Sequence, residues 1–556
     1  MTASEKNSFS CDSLTAGPFL AVCKDGQLHS IRWHGLEILR SVSAPIRDQN
    51  WGTLPEIEID RAVTEETETC VFRRRFRLRD VGGEGALTAR FDPVGLLEID
   101  WRFTATTPLK VNRAGICVLH PLAGVEDTPL TITRPDRTLE QTTFPALIAA
   151  AQPAKNIAAL HHEICGVSVS IKFEGEIFEM EDQRNWSDAS YKTYCRPLSR
   201  PMPFDIAAGE CLQQRITVCM GGTPQTATGV DATAMTVRMP EILLAVEPAW
   251  LGPIPAGCGL LARFDGRNWT DGELAQLGAA PLDAEFVVPV GAAPGPFLEH
   301  WAARFASIKV TPRNVIALPV AYLKSYQPGG LWPDGPTPSD CVVAARAAFP
   351  KARIGVGMLT HFTELNRCPP TKDEGDYITH GNAAIVHTAD DLSVLQTLEV
   401  LPAVFRSARQ IGGGRPYRLG LVSIAMRSNP YGSSLAPNPL GELRSMTDTD
   451  PRQAKEFAAT YAITAAALAA MVGAEAICLA APAGPFSLKG PVTRAINALC
   501  AMTGQEARIS ANSARFSIVA GTTTVLANAT LSEWADVSNS PLGPTSWRHV
   551  MAESPT

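Results

Sequence analysis

The feature that constrains the fold most is a regular alternation of short apolar runs and helical stretches between residues 242 and 503. Apolar runs joined by helices are typical of parallel strands, each followed by a crossover helix. The helical patterns cover residues 272–279, 296–308, 338–349, 391–411, 452–472 and 489–503. The apolar runs are ILLAVE (242–247), LLARFD (260–265), EFVVPV (285–290), NVIALPV (314–320), RIGVGM (353–358), AAIVH (383–387), RLGLVSIAM (418–426) and AEAICLA (474–480). Eight such units match the size of a central (β/α)8 TIM-type barrel, with a shortened first crossover.

The regions on either side of the barrel pattern have the alternation of antiparallel strands. The run VFRRRFRL (71–78), within CVFRRRFRLRD, indicates a half-buried antiparallel strand, and similar runs recur from residue 17 to 220. They predict an N-terminal antiparallel β-sandwich, which ends in a turn-rich segment at 221–229. Strand patterns return at 507–528 and predict a small C-terminal β-domain. We therefore expect three domains: 1–228, 229–505, and 506–556 with its tail.

Charge and composition exclude several classes of partner. The net charge is −7 and basic residues are not clustered, so nucleic acid is not an expected partner. No apolar stretch reaches the length of a membrane span, and the first residues lack the pattern of a secretory signal. The 13 cysteines form no CxxC pair, which favours reduced thiols in the cytoplasm, with Cys117, Cys219 and Cys478 as packing residues. The sequence leaves the oligomeric state open.

Polar residues that follow the barrel strands are the first candidates for a site, because barrel enzymes carry their chemistry there. A carboxylate, Glu364, and an imidazole, His387, would serve as general base and acid for attack of water on an ester carbonyl. The alternatives are a loop acid paired with Arg367 and a buried core histidine. Candidate substrate-binding residues at other strand ends are Arg263, Asn366 and Arg427.

A second group of candidates lies at the end of a predicted strand in the N-terminal domain. Acidic, basic and amide side chains bind sugar hydroxyls there, and an aromatic face stacks on a sugar ring. The alternative is an internal ion-pair network at a strand end. The predicted substrate-binding residues are Glu181, Asp182, Arg184, Asn185, Trp186 and Lys192.

Absent motifs narrow the chemistry further. The chain has no GxSxG, no GxxxxGK and no HExxH, so no nucleophile elbow, phosphate loop or standard zinc motif is expected. His361, His380 and His387 match no standard ligand spacing, and neither a metal nor a cofactor is assigned.

Four segments carry a resemblance to a known family. EDQRNWSDASYKTY (181–194), RDQNWGT (47–53), FTELNR (362–367) and VHTADD (386–391) resemble the D-apionate lactonase family over nearly the whole chain. The resemblance implies a cytoplasmic bacterial enzyme of apiose catabolism that hydrolyses the small-molecule lactone D-apionolactone to D-apionate. It also implies a β-rich N-terminal domain, a barrel and a C-terminal β-domain.

Two other functions stay open from the residues alone. A barrel glycoside hydrolase would use Glu364 with a second carboxylate from Glu181, Glu247 or Asp265. A non-catalytic or epimerase-like protein would bind a sugar through its first domain. The eighth strand ends in LAAP (479–482) without an acid, which counts against glycoside cleavage.

Overall fold

The computed structural model describes residues 12–24, 26–49, 51–66, 68–225, 233–512, 514–535 and 541–551. These residues form two compact units. The first holds the described residues up to Gln183 and those from Ser190 to 225; the second holds Arg184–Ala189 and the described residues from 233 onward. The predicted boundary at 228/229 and Asn50 of the RDQNWGT segment lie outside the described residues. The division into three domains stays a prediction.

The first unit is built from antiparallel strands, as predicted. Its strands are β1 Asp12–Ala16, β2 Phe19–Lys24, β3 Gln27–Trp33, β4 Leu36–Ser43, β5 Ile46–Asp48, β6 Glu56–Glu66, β7 Thr69–Leu78, β8 Gly83–Asp92, β9 Leu96–Ala105, β10 Leu109–Ala114, β11 Cys117–His120, β12 Pro129–Thr133, β13 Leu139–Thr143, β14 Ala154–Ile157, β15 Ala159–Ile164, β16 Val167–Glu174, β17 Phe178–Asp182, β18 Tyr191–Tyr194, β19 Phe204–Ile206 and β20 Cys211–Gly221.

Two large sheets of the first unit pack face to face. Their orders are β1-β2-β3-β4-β11-β18-β17-β14 and β13-β12-β15-β16-β20-β9-β8-β7-β6, and a small third sheet has the order β19-β10-β5. Aromatic pairs join the large sheets: the ring centroids of Phe19 and Phe91 are 5.7 Å apart, and those of Phe173 and Phe178 are 4.5 Å apart. The alternating burial of β7 follows because every second side chain points into this core.

Eight parallel strands close a barrel in the second unit, as the sequence predicts. In most of these strands all the side chains are buried, as expected for strands that are covered on both faces. The strands are β22 Glu241–Val246, β23 Gly259–Phe264, β24 Leu282–Val288, β25 Asn314–Pro319, β26 Arg353–His361, β27 Tyr377–Ala383, β28 Arg418–Ser423 and β29 Ala476–Ala480.

The six predicted helices are present, and a short seventh was not predicted. The connection from β22 to β23 contains no helix among its described residues, which confirms the shortened first crossover. Asp390 caps the helix that begins at Asp391 by accepting a hydrogen bond from Ser393 N at 3.2 Å. The helices are α1 Asp271–Gln276, α2 Pro294–Ser307, α3 Pro338–Ala348, α4 Phe362–Arg367, α5 Asp391–Gly412, α6 Glu456–Met471 and α7 Pro491–Met502. No helix among the described residues has the length and apolar character needed to cross a membrane.

The predicted position of the sixth barrel strand is wrong. The sequence predicts it at AAIVH (383–387), whereas the structure has α4 and then β27, Tyr377–Ala383, between β26 and the end of that run. The strand was missed because YITHGNA carries several polar residues, and a search for apolar runs passes over it. His387 therefore lies four residues beyond the strand end.

A five-stranded antiparallel sheet completes the second unit. Its order is β21-β30-β31-β32-β35, so Thr233–Arg238, from before the barrel, pairs with the C-terminal strands. Its members are β21 Thr233–Arg238, β30 Glu506–Asn512, β31 Arg515–Ala520, β32 Thr523–Asn528 and β35 Ser546–Met551, with a separate pair β33 Trp534–Ala535 and β34 Pro541–Leu542.

The cysteines depart from the sequence expectation in two respects. Cys258 and Cys500 form a disulfide within the second unit, so not every thiol is free. Cys219 is exposed because it lies on the outward side of β20, so its interpretation as a packing residue is wrong. Cys117 and Cys478 are buried, as predicted.

Candidate active site at the carboxyl end of the barrel

Four charged side chains meet where the barrel strands end, and we call them the upper cluster: Arg263, Arg427, Glu247 and Glu285. Arg427 donates from Nε to Glu247 Oε1 at 2.6 Å and from Nη1 to Glu285 Oε2 at 2.8 Å. Arg263 donates from Nε to Glu285 Oε2 at 2.9 Å and from Nη2 to Leu359 O at 2.7 Å. All four side chains are at most 7% exposed. The predicted binding residues Arg263 and Arg427 are thus brought together.

Glu247 of the upper cluster is held as an anion. Burial alone would raise the pKa of Glu247, but Arg427 and Arg267 outweigh it and lower that pKa to about 2. Arg267 also pairs with Asp265, an acid that the sequence offered for glycoside cleavage. A carboxylate with so low a pKa is a poor proton donor, so Glu247 does not fit the acid role of a glycosidase.

A narrow pocket opens beside the upper cluster. It encloses about 300 Å³ of space that is partly open to solvent. At the wall of the pocket the backbone of Gly381 lies close to that of Thr360. A Cβ at Gly381 would be 2.6 Å from Thr360 O, so glycine is required there. The lining residues used below are Arg263, Glu285, His361, Asn382 and Arg427.

A bulge in β26 sets the position of His361. Gly357 has φ +124° and a Cβ there would lie 2.0 Å from Thr379 O, and the pairing with β27 shifts between Gly357 and His361. His361 is 6% exposed, and burial lowers the pKa of its imidazole to about 4. Its Nδ1 lies 3.1 Å from Tyr431 Oη. His361 is therefore a neutral imidazole at the pocket wall.

Glu364 is buried at the start of α4. Its Oε2 accepts hydrogen bonds from His361 N and Thr360 Oγ1, both at 3.0 Å, so it completes a capping box with the first turn of the helix. Burial raises the pKa of Glu364, and these hydrogen bonds offset the increase only in part. The carboxylate thus fixes the backbone of the histidine that lines the pocket.

The segment Arg184–Ala189 belongs to the second unit and contacts α4 and the end of β27. Asn185 O accepts from Thr363 Oγ1 at 2.5 Å, and Asn185 Oδ1 accepts from Asn366 Nδ2 at 2.8 Å. Ser187 has φ +67°, a strained conformation for a residue with a side chain. Its Oγ donates to Asn382 Oδ1 at 2.7 Å. Strain of this kind persists only where surrounding contacts hold it.

An aspartate and a histidine pair at the end of this segment. Asp188 Oδ2 is hydrogen-bonded to His387 Nδ1, which fixes the imidazole with its proton on Nδ1. His387 keeps a third of its side chain exposed. The centroid of the Trp186 ring is 6.1 Å from that of the His387 ring, and the guanidinium carbon of Arg367 lies over the Trp186 ring, 4.9 Å from its centroid. Because Ser187 contacts Asn382, the pair lies next to the pocket wall.

The structure divides the second group of predicted binding residues. Arg184, Asn185 and Trp186 belong to the second unit with Asn366 and His387. The other three belong to the first unit: Lys192 pairs with Glu181 at 3.1 Å, and Asp182 accepts from Ala149 N at 3.0 Å. Among the described residues no group of three or more His, Cys, Asp or Glu is arranged to hold a metal ion.

Comparisons with known proteins agree with this architecture. The model of the D-apionate lactonase N-terminal domain matches residues 2–223, and that of the D-apionate lactonase TIM barrel domain matches residues 266–508. A D-apionate lactonase from Brucella anthropi is 37% identical over 511 residues, which cover 85% of this chain and 83% of the relative. The chain belongs to the D-apionate lactonase family. It is accordingly a lactone-hydrolysing enzyme.

The solved structures that resemble this chain have much lower sequence identity to it than the Brucella anthropi relative. A putative aldose 1-epimerase from Escherichia coli K12 is 10% identical with a TM-score of 0.27, covering 39% of this chain and 100% of that one. An α-galactosidase from Geobacillus stearothermophilus is 10% identical with a TM-score of 0.27, covering 93% of this chain and 91% of that one. Similarity at this level carries no argument about function.

Several residues that line or support the site are not predicted from the sequence. From the sequence, Asp188 is one residue of the segment 181–194, Glu285 is the first residue of a predicted strand, and Asn382 carries no prediction. Glu285 had a usable signal, because an acid inside an apolar strand requires a buried partner. Asp188 had none, since its partner His387 is 199 residues away.

Proposed function

We propose that this chain hydrolyses D-apionolactone to D-apionate, as a step in apiose breakdown in the cytoplasm. The observation that carries the proposal is the Asp188–His387 pair beside a pocket at the carboxyl end of the barrel. A histidine oriented by a carboxylate is a standard general base for attack of water on an ester carbonyl. Membership of the D-apionate lactonase family supports the choice of lactone.

Each step of the reaction has a residue to assist it. The oxygen of a water molecule bonds to the lactone carbonyl carbon while its proton passes to His387 Nε2. Asp188 stabilises the imidazolium that results, through Nδ1. The ring C–O bond then breaks, and the leaving oxygen takes the proton from His387. The product is a sugar acid with one new hydroxyl and one new carboxyl group.

Binding of the sugar involves the same end of the barrel. Trp186 is next to His387 and offers a ring face, while the hydrogen bond between Asn185 and Asn366 holds its segment in place, and we include Arg184 of the same segment among the binding residues. We assign Glu364 a positioning role, because its Oε2 is engaged at the start of α4. His387 rather than Glu364 is therefore our general base.

Proton release by the purified protein tests this proposal. D-apionolactone is compared with other aldonolactones in weakly buffered indicator solution, with and without EDTA, beside nitrophenyl glycosides. We expect rapid acid release from D-apionolactone that EDTA does not change, and no nitrophenol. If acid were released only from other lactones, D-apionolactone would not be the substrate. If glycosides were cleaved and no lactone were hydrolysed, the protein would not be a lactonase.

A further inference from the structure

Two buried donor atoms at the pocket wall have no hydrogen-bond partner among the described residues: Arg427 Nη2 and Asn382 Nδ2. An unpaired buried donor costs roughly 1–3 kcal/mol, so folded proteins rarely keep one without a reason. Here two of them lie in residues that line one pocket. The pattern points to a ligand atom that accepts hydrogen bonds.

Each donor is held rigidly by the other atoms of its own side chain. Arg427 uses Nε and Nη1 on Glu247 and Glu285, which leaves Nη2 as its remaining nitrogen. Asn382 uses Oδ1 to accept from Ser187 Oγ. Neither group can turn without breaking a buried hydrogen bond. Donors fixed before the reaction need no reorganisation when charge develops in front of them.

The charge balance of the upper cluster indicates what kind of acceptor fits. Two arginines, Arg263 and Arg427, face two carboxylates, Glu247 and Glu285, so the cluster has no net charge. A site with a large excess of positive charge would hold an anionic product tightly. A neutral cluster with two directed donors suits a neutral ligand on which negative charge appears only during the reaction.

We propose that Arg427 Nη2 and Asn382 Nδ2 form the oxyanion site for the tetrahedral intermediate of lactone hydrolysis. This inference rests on the proposed function and adds the residues that stabilise its transition state. When water adds to the carbonyl carbon, the carbonyl oxygen gains the electron pair of the broken π bond. The two N–H groups donate to that oxygen until the ring C–O bond breaks and the carbonyl forms again.

The first test is Asn382→Asp, which retains an oxygen to accept from Ser187 but replaces the free donor with an acceptor. We expect kcat to fall by about 10²–10³-fold with little change in KM, because the lost contact belongs to the transition state. Ser187→Ala is the matched control: it removes the hydrogen bond that orients Asn382 but keeps the donor. We expect a loss of less than tenfold for it.

The second test measures binding without turnover. A cyclic phosphonate with the ring size of the lactone presents a tetrahedral anionic centre, and the matching cyclic ether presents none. We expect calorimetry to show that Asn382→Asp and Arg427→Lys both weaken phosphonate binding at least 100-fold and leave ether binding within threefold. Equal loss for both compounds, or an unchanged kcat in Asn382→Asp, would overturn the oxyanion site.

The two tests separate this inference from the proposed function. If the wild-type protein binds the phosphonate through these residues but hydrolyses none of the lactones, the proposed function fails and the anion site remains. If the wild-type protein hydrolyses the lactone and both variants keep its rate, the oxyanion site fails and the function remains. Thermal unfolding of each variant confirms that it is folded.

Discussion

The barrel carries two ionic clusters, one at each end, each made of two arginines and two acids, and they differ in how the arginines pair with the acids. The lower cluster consists of Arg313, Arg418, Glu241 and Asp283. Arg418 reaches Asp283 at 2.6 Å and Glu241 at 3.2 Å, and Arg313 reaches the same two acids at 2.9 and 2.7 Å. Each arginine of the lower cluster therefore contacts both acids.

The same strands build both clusters. Asp283 and Glu285 are two residues apart in β24, so both point to the same face of the strand. Glu241 begins β22 and Glu247 follows its end. At the upper end, in contrast, Arg263 pairs with Glu285 and with Leu359 O, and Arg263, Glu285 and Arg427 all line one pocket. The comparison suggests that one ionic pattern serves stability at the amino end and chemistry at the carboxyl end.

The largest effect is expected from His387→Asn, which removes the general base at the upper end. We expect kcat for the lactone to fall by about 10²–10⁴-fold, the usual contribution of general acid–base catalysis. The free energy of unfolding should change little, because His387 is partly exposed. Steady-state kinetics and urea unfolding measure the two quantities. His300→Asn, on the exposed side of α2, is the control; a similar loss there would remove the special role of His387.

At the lower end, Arg418→Met should act on stability instead of chemistry. It removes one of the two arginines that Glu241 and Asp283 share. Breaking a buried pair costs about 3–5 kcal/mol of unfolding free energy, and Arg313, which still reaches both acids, should reduce that loss. Urea unfolding of the barrel measures the loss. Arg494→Met breaks the exposed pair with Glu456 and should cost about 0–1 kcal/mol. If Arg418→Met lowered kcat while the free energy of unfolding stayed unchanged, the lower cluster would serve catalysis, and the inferred difference between the two ends would be wrong.

The sequence predicted the barrel more successfully than the site because the two depend on different kinds of information. Apolar runs report burial directly, so seven of the eight strands were placed from residue type alone. The missed strand, β27, carries His380 and Asn382 in its buried face, and its polarity conceals it. The Asp188–His387 contact depends on where a segment far away in the chain lies.

Acid should weaken the barrel because it contains buried neutral histidines. Burial lowers the pKa of both His361 and His380 to about 4, below the value of about 6.5 for an unfolded chain. Below pH 6.5 the unfolded chain therefore binds protons that the folded barrel does not. The stability from each histidine is complete above pH 6.5 and is lost as the pH falls towards 4, by roughly 3 kcal/mol per group.

Measurements of the free energy of unfolding between pH 7 and pH 4 test whether stability falls as the pH is lowered. His361→Gln should reduce the slope of stability against pH, whatever it does to stability at pH 7, because one buried titrating group is gone. His300→Gln removes an exposed histidine and should leave the slope unchanged. A steeper acid loss in His361→Gln than in the wild type would contradict a lowered pKa for this imidazole.

The smallest effect is expected from Glu364→Gln, at the point where the upper end joins α4. Glutamine still accepts hydrogen bonds from His361 N and Thr360 Oγ1, so the capping box survives and kcat should fall by less than about tenfold. Asp340→Asn changes the equivalent capping box of α3 and is the matched control. A loss of a hundredfold or more in Glu364→Gln alone, at normal stability, would make Glu364 the general base. In that case His387 and Asp188 would have to be reassigned to substrate binding.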